Sequence, residues 1–452
     1  MRAIVLLLLA SLGVFARAAT VPVHFGLFGS VHTATPAGQI QRAIVLVSDQ
    51  DGWSARAETL ATALADDGAL VLGVDLPAYL KQMESIDDKC SLPASHFEEM
   101  IHWMQREQKL EKFIYPLVVG DGAGATFAYA VDAQAPAGTY AGLITLGWDA
   151  AFRLSKPICK GDSGKTTVTD AAGAFHVMPV AKLANPWLPQ PFAPGARLVS
   201  VLNKLPERAK GWLTPTPTDP GAELVESMHW LTMRVESAVP LPSDVADLPL
   251  VEVPAQGEFA QRVAIILTGD GGWAGLDIAV ADQLAKRGIE VVGLNTLKFF
   301  WQTRKPGQAA DALTRIIGHY GAQHPQADFV VLGYSFGAAL APVVINRVPD
   351  AARARIAAQV LISPDPEAVF EIHVGDWFGS TQHEGALPIL PEISKTKVPV
   401  ICVHGDEEDD SFCKSLIGKP NVRELVLPGG HHYNGDYDKL GAGIAGALPT
   451  KK

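Results

Sequence analysis

Short apolar runs, glycine-bearing loops and helix-length stretches alternate along this chain. Ala43-Ile44-Val45-Leu46-Val47 is followed by Asp51-Gly52-Trp53, and then by a stretch in which Leu64, Ala65 and Gly68 lead to a second apolar run around Val71 and Gly73. The same order returns in the second half. Ala264-Ile265-Ile266-Leu267 precedes Gly271-Gly272-Trp273, and Leu284, Ala285 and Gly288 lead to Val291 and Gly293. Each copy predicts a strand, a Gly-Trp loop, a helix, a glycine turn and a strand. Near-continuous apolar strands alternating with helices predict a mostly parallel sheet covered on both faces. The chain therefore predicts one α/β fold twice in tandem.

The repeat extends to a second landmark. Leu117-Val118-Val119-Gly120-Asp121-Gly122-Ala123-Gly124 lines up with Val330-Val331-Leu332-Gly333-Tyr334-Ser335-Phe336-Gly337. A strand, a Gly-x-Ser-x-Gly turn and a helix make the nucleophile elbow of α/β-hydrolases, with the serine at the apex of a strained turn. The second copy thus carries a candidate nucleophile at Ser335. The first has Gly122 in its place and reads as a degenerate copy. A competing reading takes Gly120-x-Gly122-x-x-Ala125 as a dinucleotide fingerprint. The acidic residue that would follow is missing, because Leu143-Ile144-Thr145-Leu146 runs into Gly147-Trp148.

Between the copies, Leu213-Thr214-Pro215-Thr216-Pro217-Thr218-Asp219-Pro220 cannot form a regular element. A helix-like stretch, Ala222 to Ser237, follows, and Pro240, Pro242, Pro249 and Pro254 punctuate an extended link. A chain of 452 residues exceeds one ordinary core. We divide it into a signal peptide at 1–18, a degenerate α/β-hydrolase-like domain at 19–210, a Pro-rich linker with a helix at 211–255, and a catalytic domain at 256–452.

Composition narrows the setting. The net charge of -11 argues against a nucleic-acid partner. Met1-Arg2, the apolar stretch Ala3 to Val14 and Ala16-Arg17-Ala18 have the order of a secretory signal peptide, which predicts export to the periplasm. Four cysteines suit an oxidising compartment. The expected pairs are Cys90 with Cys159 and Cys402 with Cys413, each stapling a loop within its own half.

Downstream of Ser335 an acid and then a histidine are expected. The run Val398 to Val403 ends at His404-Gly405-Asp406-Glu407-Glu408-Asp409-Asp410, where Glu408 is the first choice and Asp410 the alternate. Leu425-Val426-Leu427 leads into Pro428-Gly429-Gly430-His431-His432-Tyr433, where His432 is the expected base and His431 the alternate. Two adjacent histidines point apart and make a poor metal pair, so neither metal nor cofactor is expected. The oxyanion donors are expected at the N–H groups of Phe336 and Asp270, the latter in the glycine-rich loop Thr268 to Gly272.

These motifs, with Phe299-Phe300-Trp301 and Arg304, resemble the VirJ/AcvB family of exported bacterial virulence proteins, whose long form looks like the whole chain. The resemblance implies a periplasmic serine hydrolase that releases lysine from lysyl-phosphatidylglycerol, with peripheral membrane contact and type IV secretion components as partners. It also implies substrate contacts. Asp270 would face a substrate ammonium, Trp273 would contact the substrate, Phe299, Phe300 and Trp301 would line an entrance, and Arg304 would meet a lipid phosphate. A general carboxylesterase or thioesterase, or a non-catalytic adaptor for a secretion apparatus, are the alternatives.

Overall fold

A computed structural model describes residues 20–451, apart from 87–88, 162, 182, 184, 191–219, 236–243 and 373–384. The expected signal peptide and the most Pro-rich part of the expected linker lie outside the described residues.

In the first half, β1 (Val21–Phe25), β2 (Gly29–Ala34), β3 (Arg42–Val47), β4 (Ala69–Val74), β5 (Leu117–Asp121) and β6 (Gly142–Leu146) precede a small hairpin, β7 (Thr167–Thr169) with β8 (Phe175–Val177), and then β9 (Trp187–Gln190). Seven of these make a sheet of order β1-β2-β4-β3-β5-β6-β9, parallel from β4 to β9. The second half has β10 (Leu250–Val253), β11 (Arg262–Leu267), β12 (Glu290–Leu294), β13 (Asp328–Tyr334) and β14 (Ile356–Ile362). After them come the two-residue strands β15 (Glu367–Ala368) and β16 (Leu387–Pro388), then β17 (Val400–Gly405) and β18 (Val422–Leu427). Its sheet runs β10-β12-β11-β13-β14-β17-β18, parallel except at β10. The expected tandem α/β fold, with helices against each mostly parallel sheet, is what the chain adopts.

The apolar patterning explains the sheets. All of β4 and β11 is buried, as expected of strands covered on both faces. In both copies the chain goes first to one side of the central strand and then to the other, β3 to β4 and β5, β11 to β12 and β13. Such a reversal opens a crevice at the carboxyl ends of the strands. There Leu267 pairs with Gly333, so the glycine-rich loop and the elbow leave the sheet side by side.

The segment between the copies divides between the two sheets. Leu224, Met228 and Leu231 form an apolar stripe on the helix Pro220–Val235 and are buried with Leu60 and Leu64 of the helix Ala55–Asp66. The Gln190 amide also donates to the Ser227 hydroxyl. That helix thus belongs to the first half's core, while Leu250–Val253, expected as extended link, becomes an edge strand of the second sheet. One apolar cluster joins the halves, with Phe97, Ile101 and Phe113 packed in it together with Leu297, Phe300 and Trp301. Both expected disulfides, Cys90–Cys159 and Cys402–Cys413, are formed.

Candidate active site

The elbow exists because of its glycines. A Cβ on Gly333 would lie 2.3 Å from the Gly337 carbonyl oxygen, and one on Gly337 would lie 2.1 Å from that of Leu267. Between them Ser335 adopts φ 48°, ψ -113°, a conformation side chains rarely take. Gly122 has nearly the same backbone, φ 57°, ψ -116°. The turn is therefore conserved between the copies in shape, and only the second supports a hydroxyl on it.

A relay of side chains converges on that hydroxyl. His431 Nε2 lies 3.2 Å from Ser335 Oγ, and His431 Nδ1 lies 2.9 Å from Glu408 Oε1. The expected base His432 is corrected by this geometry. Its Nδ1 instead lies 3.0 Å from the Tyr334 hydroxyl, with its ring plane at 88° to that of His431. Neighbouring side chains diverge, and the turn at Gly429 (φ 109°), held by its N–H on the Asp406 carboxylate, presents the first histidine of the pair to the serine. Asp410, the alternate acid, is exposed with Glu407 and Asp409, whereas Glu408 is partly buried.

Glu408 is held on both oxygens. Its Oε2 accepts from the Ser363 hydroxyl at 2.9 Å and from the Gly405 N–H at 3.2 Å. Ser363 Oγ also lies 2.8 Å from the Tyr433 hydroxyl. Burial raises the Glu408 carboxyl, but hydrogen bonds from His431, Ser363 and Gly405 outweigh it and bring the group below its ordinary value. Burial lowers the His431 imidazole; the hydrogen bond to Glu408 and the charges of Glu408, Asp365 and Asp270 overcome that and raise it. The histidine next door goes the other way, lowered by burial and by its proximity to His431.

The first copy shows what its own crevice holds. Ser48 N–H donates to Val74 carbonyl as Thr268 N–H does to Leu294, which fixes the correspondence of the loops that follow. Asp49 thus stands where the second copy has Gly269, and Gln50 and Ala123 stand where it has Asp270 and Phe336. Asp49 Oδ1 accepts from both Gln50 N–H, at 2.7 Å, and Ala123 N–H, at 2.8 Å. A side chain on Gly122 would meet this carboxylate at 2.4 Å. An internal anion occupies the start of that helix, so the dinucleotide reading fails there for lack of room and for like charge.

Of the expected substrate contacts, all but Asp270 are structural. Trp301 is fully buried and its indole N–H donates to the Leu110 carbonyl of the first half at 2.7 Å, so it cannot line an entrance. Phe299 and Phe300 are buried with it. Trp273 lies against Gly293, where a Cβ would come within 2.0 Å of its ring, and Trp53 meets Gly73 in the same way. A pairing shared by a copy without a nucleophile is a feature of the fold. Arg304 packs its guanidinium 4.2 Å above the Phe299 ring and donates to the Phe299 carbonyl at 2.6 Å, which makes it a strut rather than a phosphate contact. Asp270 remains at the crevice, where its charge acts on His431.

Sequence reasoning missed Ser363, Tyr433 and Tyr334. One signal was available for Ser363. It follows β14 at φ 44°, and Gly147, with φ 82°, follows β6 at the corresponding place, so a glycine-to-serine exchange between copies marks a strained position.

Residues 261–452 match the family described as bacterial virulence protein (VirJ). A stretch of 101 residues is 34% identical to cutinase CUT2 of Pyricularia oryzae, covering 22% of this chain and 40% of the cutinase. The chain thus spans less than half the length of that relative. Among solved structures, Est1E from Butyrivibrio proteoclasticus is 14% identical with a TM-score of 0.32, over 42% of this chain and 87% of its own. An alpha-beta serine hydrolase homologue from Coxiella burnetii is 16% identical with a TM-score of 0.33, over 44% of this chain and 91% of its own. Likenesses this slight add nothing to what the strand order already establishes.

Proposed function

From a chain whose residues 261–452 match the VirJ family, we propose a serine hydrolase that cleaves carboxylic esters, with Ser335 as nucleophile, His431 as base and Glu408 as its orienting acid. The observation that carries this is the continuous relay Glu408–His431–Ser335, at 2.9 and 3.2 Å. His431 Nε2 takes the proton of Ser335 as Oγ attacks the acyl carbon. Glu408 holds the Nδ1–H tautomer and offsets the imidazolium charge. The ester C–O bond then breaks, the leaving alcohol takes the proton from His431, and water repeats the sequence on the acyl-serine.

The carbonyl oxygen would be received by the N–H groups of Phe336 and Asp270. The support is internal: their counterparts in the first copy both donate to one carboxylate oxygen of Asp49. Losing one such donor lowers kcat by about 10²–10³.

The finer reading is an aminoacyl ester of a phospholipid, lysyl-phosphatidylglycerol, hydrolysed in the periplasm. Its support is the family likeness, together with negative charge from Asp270 and Asp365 acting on the site, which suits an acyl group bearing ammonium. Two disulfides suit an exported protein. A fluorophosphonate probe should label the wild type and leave Ser335→Ala unlabelled. Lysyl-lipid in vesicles should be hydrolysed faster than an uncharged acyl ester of the same lipid. Absence of labelling in the wild type would overturn the hydrolase and favour an adaptor.

A further inference from the structure

The first half has Gly122 in place of a serine at its elbow, yet it touches the loop on which the second half's chemistry would depend. That loop, Thr268 to Trp273, is pinned at two points. Thr296 Oγ1 donates to the Gly269 carbonyl at 2.5 Å and lies 2.8 Å from Thr268 Oγ1. Gly272, at φ 80°, returns its N–H to the Gly269 carbonyl at 3.1 Å and closes the loop on itself. Asp270 N–H lies between these two points.

Both pins lead to Asn295. Its side-chain oxygen caps the helix Thr296–Phe299 by accepting from Lys298 N–H at 3.0 Å, which sets the position of Thr296. A Cβ on Gly272 would sit 2.9 Å from that same oxygen, so the loop backbone rests on the amide. The amide itself is buried and its Nδ2–H donates to the hydroxyl of Tyr115 at 2.7 Å. Tyr115 belongs to the first half. A Cβ on Gly272 would also meet that hydroxyl at 2.9 Å, in a cleft between the halves that Glu98, His102, Tyr140, Gly271 and Leu297 line as well.

The first copy solves the same problem alone. Asp75, at the place of Asn295, caps its helix by accepting from Ala78 N–H and takes the loop's Trp53 N–H on its other oxygen. Asn295 in the second copy gives its amide hydrogen to the neighbouring half instead.

We propose that Tyr115 is a positioning residue of the second half's site: through Asn295 and Gly272 it holds the loop that presents Asp270 N–H to the reacting carbonyl. The first half is then an integral part of the site. This rests on the hydrolase reading above. Burial pushes the Tyr115 hydroxyl up to about 12, so it stays neutral throughout the working range.

The test uses the full chain and a soluble p-nitrophenyl ester. Tyr115→Phe keeps the ring and removes only the acceptor. It should lower kcat about tenfold, short of the roughly 10²–10³ lost with an oxyanion donor itself, while KM stays within about twofold because the loop acts on the transition state. Asn295→Ser keeps a capping side chain and should lower kcat similarly, and the double variant should fall no further than either single one. Arg106→Met removes a different contact between the halves, that to the Ile372 carbonyl, and should leave kcat unchanged even where it lowers the melting temperature. Unchanged kcat in Tyr115→Phe, or additive losses in the double variant, would overturn the proposal. A wild type that neither labels nor turns over would overturn the hydrolase reading instead.

Discussion

At the scale of single residues, the site stores strain where it places chemistry. Ser335 and Ser363 both take positive φ, and the first copy has glycine at each counterpart, Gly122 and Gly147. Replacing Ser335 with glycine should therefore abolish ester turnover and stabilise the fold. The strain relieved is roughly 1–3 kcal/mol, offset in part by the ~0.5–1 kcal/mol of added chain entropy. A melting temperature raised by a few degrees is the expected readout, and a fall would show that the turn is unstrained. The raised His431 sets the acid limb of the pH–rate profile. Only the neutral imidazole accepts the Ser335 proton, so the rate should rise with pH through a midpoint above the ordinary 6.5. Glu408→Gln removes the charge and the hydrogen bond that raise it. The midpoint should move to lower pH, with kcat reduced by on the order of 10³ or more from the wrong tautomer. A midpoint that stays put would place the titrating group elsewhere.

At the scale of elements, the acid loop is short and bounded by a covalent bond. Cys402 in β17 joins Cys413, and Glu408 lies between them. Closing so short a loop contributes about 3 kcal/mol by the chain-entropy account. The Cys402→Ala/Cys413→Ala variant should unfold at lower denaturant by about that much. It should also lose turnover under conditions where it remains folded, because Gly405 N–H and Ser363 no longer meet a fixed Glu408. Full activity in the folded variant would separate the disulfide from the site. The elements themselves were legible from pattern. Apolar runs gave the strands, and Gly-x-Ser-x-Gly between strand and helix gave the elbow. The linker was read less well. Leu224, Met228 and Leu231 carry a helical stripe, but nothing local says which sheet will bury it.

At the scale of the whole molecule, duplication explains the division of labour. Both copies build the same crevice, and one fills it with its own carboxylate at Asp49 while the other leaves Gly269 there. The halves share an apolar cluster and are tied by Trp301 to Leu110, Arg106 to Ile372 and Asn295 to Tyr115. Trp301, which the family likeness assigns to substrate, is used in that packing, and Arg304 braces Phe299 beside it within the second half. Periodicity, glycine placement and chain order were enough to read two α/β sheets and both disulfides, and to single out Ser335 and Glu408 for the proposed relay, because each follows from local stereochemistry, chain order or compartment. The choice of His431 over His432, the filling of the first crevice by Asp49 and the reach of Tyr115 into the second half were decided only in three dimensions. They depend on where side chains far apart in the chain point once the sheets are packed, and no local rule carries that direction.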